Sequence, residues 1–273
     1  MDTIRLDALA ARQFGVTAEE AAALIMAGRV TIGRVPADKP GTPVPAGTVL
    51  TLREKTRKYA SRSGYKLEKA LEAFGVDPTG LTVCDIGASN GGFTDCLLQH
   101  GAARVYAVDV AYGILAWELR RDDRVVVLER TNARHLTCDM LREKQDGPLP
   151  CDLVTADVSF ISLKKIFPAI DRVLREEGAA ICLIKPQFEA LPRQLGKNGM
   201  VRDPAILPPL LLSLAEAAAQ SRLFLRGLTV SPIHGTNGNV EYLAHFTRDG
   251  ALPEEDLAAR IGAALGEAPD MQG

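Results

Sequence analysis

The stretch of sequence that decides the fold is Val83-Cys-Asp-Ile-Gly-Ala-Ser-Asn-Gly-Gly-Phe93. It begins with an apolar run that ends near Asp85, continues through a glycine-rich turn from Gly87 to Gly92, and then enters a helical pattern. A strand, a turn of small residues and a helix in this order form a pocket for a nucleotide-like ligand. Glycine lets a ligand approach the backbone, and the first N–H groups of the helix are free. The stretch therefore predicts a ligand pocket in an α/β domain.

The chain beyond this stretch alternates between strand patterns and amphipathic helix patterns. Such alternation predicts a doubly wound parallel sheet, and the short connection between the last two strands predicts an antiparallel hairpin at one edge. The predicted fold class is therefore α/β, of the Rossmann-like type. The predicted strands are 81–86, 104–110, 125–128, 153–156, 179–184, 225–230 and 241–246, and the predicted helices are 92–100, 114–121, 163–174, 204–221 and 254–265.

Residues 1–53 are predicted to form a small separate α+β domain. Thr17-Ala-Glu-Glu20 is a capping box, with Thr17 as the N-cap and Glu20 at the third helical position. The helix ends near Gly28, and two short strand patterns follow at 30–32 and 49–52. The sequence thus predicts three parts, which are this domain at 1–53, a basic linker at 54–62 and the α/β domain at 63–273.

Positive charge is concentrated just before the α/β domain. Residues 1–69 hold 12 Lys or Arg against seven Asp or Glu, and all of that excess lies in 53–69, although the whole chain has a net charge of −2. A short basic segment of this kind predicts contact with a polyanion such as RNA. A solvated linker rich in lysine is the alternative that the composition leaves open.

Composition and cysteine content argue against several classes of protein. The apolar fraction of 47% is ordinary for a globular chain. No apolar run is long enough to span a membrane, and no signal-like segment opens the sequence, so we expect a cytoplasmic protein without membrane contact. The five cysteines form no C-x-x-C pair and the four histidines show no ligand spacing, so we expect neither a disulfide framework nor a metal site.

Acidic residues follow the predicted parallel strands, at the edge of the sheet where ligands bind. Asp109 comes 17 residues after Gly92, at the position whose carboxylate can bind two ribose hydroxyls of a nucleoside. The glycine-rich turn lacks the G-x-G-x-x-G spacing of dinucleotide sites, and Asp85 suits the cationic methionyl end of S-adenosylmethionine. We therefore expect this cofactor, held by Asp85, Gly87, Ala88, Ser89, Gly91, Gly92, Asp109, Asn132, Ala133 and Asp157.

Two lysines and two carboxylates stand where the predicted sheet would bring them to one cleft. Lys66 lies near the start of a helix that precedes the first strand, Asp157 and Lys185 close the fourth and fifth strands, and Glu241 opens the last. Lysine is protonated at neutral pH, so a lysine base needs burial or a neighbouring cation to lower its pKa. Two ordinary ion pairs at strand ends are the alternative. A Lys-Asp-Lys-Glu set in this order resembles ribose 2′-O-methyltransferases of the FtsJ type, which implies that these four residues are catalytic.

Further motifs extend the resemblance to the TlyA family nearly from end to end. It implies 2′-O-methylation of cytidine in ribosomal RNA within ribosomal subunits, with Lys185 as the base and with Lys66, Asp157 and Glu241 supporting it. The motifs are Tyr59-Ala-Ser-Arg-Ser-Gly-Tyr-Lys-Leu67, Asp85-Ile-Gly-Ala-Ser-Asn-Gly-Gly-Phe-Thr-Asp-Cys-Leu97, Val108-Asp-Val, Glu129-Arg-Thr-Asn-Ala-Arg134, Asp157-Val-Ser-Phe-Ile-Ser162, Lys185-Pro-Gln-Phe-Glu189, Gly199-Met-Val-Arg-Asp-Pro204 and Gly238-Asn-Val-Glu-Tyr242.

The N-terminal segment resembles the small RNA-binding domain of ribosomal protein S-four. The motifs are Arg5-Leu-Asp7, Ala23-Leu-Ile-Met-Ala-Gly-Arg-Val30 and Lys39-Pro-Gly-Thr42, followed by Val44-Pro45. Residues 1–52 carry five charges of each sign, so we expect the basic linker and the loop at 188–202 to add RNA contacts, although an ordinary surface loop is the alternative. The residues expected at RNA are Arg5, Arg57, Lys58, Arg62, Arg193, Lys197 and Arg202.

Two other functions remain open from the sequence. One is a membrane-active, haemolysin-like protein, since TlyA relatives often carry that label, but no spanning segment and no strongly basic amphipathic helix supports it. The other is an RNA-binding protein whose methyltransferase fold is inactive, and the intact set of two lysines and two carboxylates argues against it.

Overall fold

A computed structural model describes residues 2–53, 57–144, 149–196, 199–235 and 238–267. The chain divides into two compact units. The first is Met1–Lys58 together with Ala116–Arg121, and the second is Tyr59–Leu115 together with Asp122–Gly273. The second unit thus begins within the segment predicted as a linker.

The helices and strands follow one another in the order expected of an α+β module and a larger α/β unit. Those before the first strand of the large sheet are β1 (Thr3–Arg5), α1 (Leu6–Phe14), α2 (Ala18–Met26), β2 (Val30–Ile32), β3 (Val35–Pro36), β4 (Pro43–Pro45), β5 (Leu50–Leu52) and α3 (Ser63–Phe74). The others are β6 (Thr82–Ile86), α4 (Gly92–Gln99), β7 (Arg104–Val108), α5 (Trp117–Arg120), β8 (Val125–Leu128), α6 (Cys138–Arg142), β9 (Cys151–Ala156), α7 (Phe167–Val173), β10 (Leu174–Ile184), α8 (Pro186–Glu189), α9 (Leu207–Ala219), β11 (Phe224–Val230), β12 (Tyr242–Thr247) and α10 (Glu254–Glu267).

The first unit is a small α+β module built on α1 and α2. The predicted capping box begins α2, since the Thr17 hydroxyl accepts a hydrogen bond from the Glu20 N–H and the Glu20 carboxylate accepts one from the Thr17 N–H. Strands β3, β2 and β5 form a three-stranded antiparallel sheet, and β1 pairs with β4. Apolar side chains from both helices and from β2, β4 and β5 form one core, which contains Leu6, Leu9, Ala10, Ala21, Ile25, Val30, Val44 and Leu50.

The second unit is organised around a seven-stranded sheet in the order β11-β12-β10-β9-β6-β7-β8. Strands β10, β9, β6, β7 and β8 are parallel, and β12 runs antiparallel to both β10 and β11. The predicted Rossmann-like fold and its antiparallel edge hairpin are thereby confirmed. Because the parallel strands all end at one edge, the residues that follow β6, β7, β9 and β10 meet there.

Several predicted elements differ from the observed ones, among them the helix predicted at 204–221, which is a 3₁₀ turn at Pro204–Ile206 followed by α9. The helix predicted at 114–121 shortens to α5, because the Ile114 carbonyl accepts a hydrogen bond from the Asn90 amide, 3.2 Å away, instead of from a following turn. The helix predicted at 163–174 is a 3₁₀ turn at Leu163–Lys165 followed by α7, where Pro168 stands in the first turn. The predicted loop after Lys185 contains α8, which begins at Pro186.

Candidate functional site

Two adjoining cavities open at the carboxyl ends of the parallel strands, and Gly87, Ser89 and Asp157 line both. The first, called the polar cavity here, has a volume of about 320 Å³ and is lined by Ser61, Arg62, Ser63, Lys66, Gly87, Ala88, Ser89, Asn90, Phe93, Asp157, Lys185, Ile233, His234, Gly235 and Glu241. The second, called the apolar cavity, has a volume of about 450 Å³ and is lined by Ile86, Gly87, Ser89, Val108, Asp109, Val110, Ile114, Thr131, Asn132, Ala133, Arg134, Asp157, Val158, Ser159, Phe160, Ile161 and Ile166.

The polar cavity brings together all four residues that the sequence marked as catalytic. The Lys66 Nζ lies 2.5 Å from the Glu241 Oε2, and the Lys185 Nζ lies 2.7 Å from the Asp157 Oδ1. Each of these side chains is at most 15% exposed. Low solvent exposure weakens the screening of charge, so the attraction within each of the two ion pairs is stronger than between exposed side chains.

Ser159 is a partner of Lys185 that the sequence reasoning missed. The Lys185 Nζ donates a hydrogen bond of 2.8 Å to the Ser159 hydroxyl. The Asp157 Oδ1 is buried and has no partner with hydrogen-bond geometry among the described residues. The Lys185–Asp157 contact is therefore an ion pair without a directed hydrogen bond, and the directed bond of the ammonium goes to Ser159. The sequence feature that identifies Ser159 as a candidate is its position two residues after Asp157.

The start of α3, and with it Lys66, is held against α4 by the residues just before the helix. Tyr59 is fully buried, and the Ala60 N–H donates to the Asp95 carboxylate at 2.7 Å. A Cβ at Gly92 would collide with the hydroxyls of Ser61 and Ser63. Gly92 is thus required by close packing of the chain, and it is not among the residues that line either cavity.

The apolar cavity contains most of the residues predicted to hold a nucleoside. Both Asp109 carboxylate oxygens accept backbone N–H groups, Oδ2 from Ser89 and Oδ1 from Ala111, each at 2.8 Å. Asn132 and Ala133 line the same cavity and follow β8, where the Asn132 side chain caps a 3₁₀ turn. A carboxylate oxygen has capacity for a second donor, so Asp109 can still accept hydrogen bonds from a pair of hydroxyls.

Three of the residues predicted to hold the cofactor, Asp85, Gly91 and Gly92, do not line either cavity. Asp85 is fully buried and lines neither cavity, because its two oxygens accept hydrogen bonds from the hydroxyls of Thr94, at 2.7 Å, and Thr155, at 2.9 Å. Gly91 and Gly92 also lie outside both linings. The Gly91 φ of 90° shows why glycine is needed there, since it forms the left-handed N-cap of α4. These residues shape the turn that Gly87, Ala88 and Ser89 present to the cavities.

Asp85 is also a buried acid whose ionisation opposes folding. Burial raises the pKa of Asp85 to about 6, although the Thr94 and Thr155 hydroxyls act in the opposite direction. The ordinary pKa of an aspartate in an unfolded chain is about 3.9. Between these two pH values the folded chain holds more protons than the unfolded chain, so stability from this group is lost as the pH rises through about 6.

Replacing Asp85 by asparagine is expected to remove this pH dependence while keeping both threonine contacts. The free energy of unfolding of the original chain should rise, relative to D85N, by about 1.4 kcal/mol when the pH is lowered from about 7.5 to about 5. Urea denaturation of both proteins at the two pH values measures the difference. If the free energy of unfolding changes with pH by the same amount in both proteins, Asp85 is not a buried acid that titrates in this range.

The predicted RNA-binding residues fall in different parts of the structure. Arg62 lines the polar cavity, and Arg193 and Arg202 are exposed near the two ends of one loop, where the Arg202 N–H donates to the Gln194 carbonyl. Arg57 and Lys58 are exposed. The Arg5 guanidinium is paired with Asp7 at 2.5 Å and remains largely exposed, whereas Lys197 lies outside the described residues.

Phe160 is a second residue that the sequence reasoning missed. Its ring is 91% exposed at the rim of the apolar cavity, and its centroid lies 5.1 Å from that of Phe188. Its φ of 62° is left-handed, which is strained for a side chain of this size. An exposed aromatic ring held in a strained backbone next to a cavity suits stacking on a flat ligand.

Within the described ranges, no cluster of three or more His, Cys, Asp or Glu side chains is arranged to hold a metal ion. The same residues include no helix that is both long and apolar enough to cross a membrane.

Comparison with known proteins identifies relatives over the whole chain. The family model of FtsJ-like methyltransferases matches residues 59–248, and that of the S4 domain matches residues 4–50. The 16S/23S rRNA (cytidine-2′-O)-methyltransferase TlyA of Mycobacterium tuberculosis is 42% identical over 269 residues, which are 97% of this chain and 98% of that protein. YqxC of Bacillus subtilis, a candidate rRNA methyltransferase, is 42% identical over 261 residues, which are 93% of this chain and 91% of that protein.

A solved structure matches nearly the full length as well. It is that of a candidate hemolysin from Streptococcus thermophilus, with a TM-score of 0.71 and 40% identity, covering 98% of this chain and 97% of that one. The fold described above is thus shared with a solved structure along both units of the chain.

Proposed function

Because the chain belongs to the FtsJ-like methyltransferase family, and within it to the TlyA proteins, we propose that it transfers a methyl group from S-adenosylmethionine to a ribose 2′-hydroxyl of cytidine in ribosomal RNA. The observation that carries the proposal is the pair of Lys–carboxylate contacts in a cavity that shares a wall with a nucleoside-sized apolar cavity. Ribosomal subunits are the proposed substrate, which would place the protein's action in the cytoplasm.

The residues present fit S-adenosylmethionine. Asp109 has free acceptor capacity for ribose hydroxyls, and the apolar side chains Ile86, Val108 and Ile114 line the same cavity. A Cβ at Gly87, which lines both cavities, would lie 2.5 Å from the Asp157 carbonyl oxygen, so only glycine fits at this position. When bound, this cofactor supplies an electrophilic methyl group on a sulfonium sulfur.

The protein's own part in the reaction is to hold the acceptor ribose and to take its proton. In the proposed mechanism Lys185 first releases its own ammonium proton to solvent, and the neutral Nζ then accepts the proton of the 2′-hydroxyl, which lets the oxygen attack. Asp157 and Ser159 orient the Lys185 side chain, and Glu241 holds the Lys66 ammonium in the same cavity. The Lys66 charge then faces the oxygen as negative charge develops on it, which stabilises the transition state.

RNA binding is the second part of the proposal. The S4 domain match at residues 4–50 supports docking of RNA by the first unit. Arg57, Lys58 and Arg62 would contact the RNA backbone near the second unit, and Arg193 and Arg202 would do so from their loop. Phe160 is placed to stack on a base that has left its helix.

The direct test uses purified protein, labelled S-adenosylmethionine and ribosomal subunits isolated from cells that lack this modification. We expect label in RNA, recovered as 2′-O-methylcytidine after nuclease digestion, and none with subunits that are already methylated. Absence of transfer to either subunit would overturn the proposed function.

The solved hemolysin-like relative raises membrane activity as a second candidate function. The test is leakage of dye from phospholipid vesicles at protein concentrations that suffice for methylation. We expect no leakage, and leakage at those concentrations would favour the second candidate.

Replacement of Ser159 by alanine tests the orientation of the proposed base. We expect kcat to fall by about tenfold or more, because a hydrogen bond to a charged group is lost, while the KM for S-adenosylmethionine stays near that of the original enzyme. The matched control is Ser213→Ala, since the Ser213 hydroxyl accepts a hydrogen bond from the Lys164 Nζ at 2.7 Å away from both cavities. Equal rates for the two variants would exclude Ser159 as a positioning residue.

A further inference from the structure

A third cavity lies at the outer edge of the large sheet, apart from the polar and apolar cavities. Its volume is about 480 Å³, and none of its residues lines the other two. Helix α3, the two strands of the edge hairpin and α10 contribute its walls. The lining residues are Lys69, Ala73, Phe74, Arg226, Gly227, Leu228, Thr229, His245, Arg260, Ala263 and Glu267.

The charge of this edge cavity is predominantly positive. Lys69, Arg226 and Arg260 all line it, and no ion pair is recorded for any of the three with another residue in the described part of the chain. The carboxylate in the lining, Glu267, accepts a hydrogen bond from the Thr229 hydroxyl at 2.8 Å. Three converging cations without carboxylate partners create a local potential that attracts an anion.

A β-bulge turns Arg226 out of the regular strand. In the pairing of β11 with β12, Leu225 stands opposite Phe246 and Gly227 opposite His245, so Arg226 is the extra residue. Bulges commonly redirect a side chain beside a functional site. The Arg226 Nε donates to the Thr247 hydroxyl at 3.2 Å, which holds the guanidinium and leaves its terminal N–H groups for another acceptor.

Gly227 and Phe74 pack against each other in the lining of the edge cavity, next to Arg226. A Cβ at Gly227 would lie 2.7 Å from atoms of the Phe74 ring, so glycine is needed for the ring to reach the strand. Phe74 in turn stacks on the His245 ring, with 5.3 Å between centroids and 18° between planes. Phe74, Gly227 and His245 thus pack closely together in the lining of the cavity.

His245 supplies an unpaired polar atom at this floor. Its Nε2 is buried and has no hydrogen-bond partner among the described residues. Burial lowers the pKa of His245, Arg226 acts in the same direction and Asp249 in the opposite one. A buried ring nitrogen without a partner is uncommon in folded proteins, and because His245 lines the cavity its ring senses any charge that enters there.

We propose that the edge cavity binds a phosphate group, supplied either by the RNA backbone or by a free phosphate compound. The planar fork of an arginine matches two phosphate oxygens, and a lysine adds a point charge. Lys66 in the polar cavity and Lys69 in this one are three residues apart on α3, about 4.5 Å along the helix axis. Because these two lysines are neighbours on α3, one RNA strand can contact both cavities. If RNA supplies the phosphate, the inference rests on the proposed function.

The test compares the full-length protein with R226Q/R260Q, which removes two charges while keeping polar side chains. R260Q alone is included because Arg260 is exposed on α10 and its replacement leaves the β-bulge at Arg226 unchanged. R142Q is the matched control, since Arg142 is an exposed arginine on α6 that pairs with Asp139 and lines none of the three cavities. The readouts are the ¹⁵N signals of the His245 ring, assigned with H245N, and the salt dependence of RNA affinity.

Inorganic phosphate and a short single-stranded RNA are titrated separately, in the absence of S-adenosylmethionine. We expect at least one of them to shift the His245 signals in the original protein and in R142Q, with the shift lost in R226Q/R260Q. A response to inorganic phosphate identifies a free phosphate compound as ligand. A response to RNA alone identifies the backbone, and RNA affinity should then fall about tenfold in R226Q/R260Q, with a salt slope smaller by about one per lost contact.

No response of His245 to either probe would overturn the inference, as would an equal loss in R142Q. These outcomes are separate from failure of the proposed function. A protein that binds phosphate here but transfers no methyl group would overturn only the proposed reaction. A protein that methylates RNA without any response at His245 would overturn only the edge-cavity site.

Discussion

Replacement of Lys185 by arginine is expected to abolish methyl transfer while the chain stays folded. Arginine keeps the positive charge beside Asp157, 2.7 Å from the lysine nitrogen in the original chain. A guanidinium remains protonated at neutral pH, so it cannot take the proton of the ribose hydroxyl. Loss of a general base lowers kcat by about a hundredfold to ten-thousandfold.

The measurement is single-turnover transfer of labelled methyl groups to unmethylated subunits, with circular dichroism to confirm folding. Lys164→Arg is the matched control, because Lys164 pairs with a serine at 2.7 Å as Lys185 does but lies outside both cavities of the site. We expect the control to retain full activity. Transfer by K185R at the original rate would show that Lys185 is not the base.

Replacement of Gly64 by alanine is expected to reduce both stability and activity. A Cβ at Gly64 would lie within 2.6 Å of three atoms of Tyr59, whose side chain is fully buried. Tyr59 and the backbone before α3 must therefore shift, which moves Ser61, Arg62 and Ser63 in the wall of the polar cavity. Overpacking of this kind costs about 1–3 kcal/mol of unfolding free energy, and displacement of reacting groups by about 1 Å lowers kcat by about a hundredfold.

Gly262→Ala provides the contrast for this prediction. Gly262 lies in α10, and a Cβ there would meet no atom within 4 Å. Alanine should leave activity unchanged and raise stability by up to about 1 kcal/mol, because it favours the helix. Thermal denaturation and the transfer assay measure both variants. A G64A protein as stable and as active as G262A would contradict close packing of Tyr59 on α3.

Local sequence patterns predicted the structure correctly where contacts within one short segment determine it. The capping box at Thr17 needs only residues within one helical turn, and the strand, turn and helix around Gly87 need only adjacent segments. The order of strands and helices then limits the sheet topology, because parallel crossovers have few allowed arrangements. The comparisons confirm the resemblance to TlyA proteins that these motifs carried.

The surroundings of other residues depend on contacts between distant parts of the chain, which local motifs do not show. Asp85 has the sequence position of a ligand contact, but the hydroxyls of Thr94 and Thr155 enclose it beneath the turn. Gly92 lies in the glycine-rich turn expected to hold the cofactor, but the side chains of Ser61 and Ser63 pack against it. Neither packing partner is recognisable from a local motif, since each is chosen by how helices and strands meet.

The fold class and the small N-terminal domain follow from the periodicity and order of sequence patterns, whereas the family and the four residues proposed for catalysis follow from motifs that resemble known proteins. Only the tertiary structure decided which of those residues touch. It paired Lys66 with Glu241 and Lys185 with Asp157, added Ser159, buried Asp85 beneath the turn and placed Lys69, Arg226 and Arg260 around the edge cavity. The physical reason is that distances between side chains far apart in sequence are set by packing of the whole sheet and its helices, and not by any single segment.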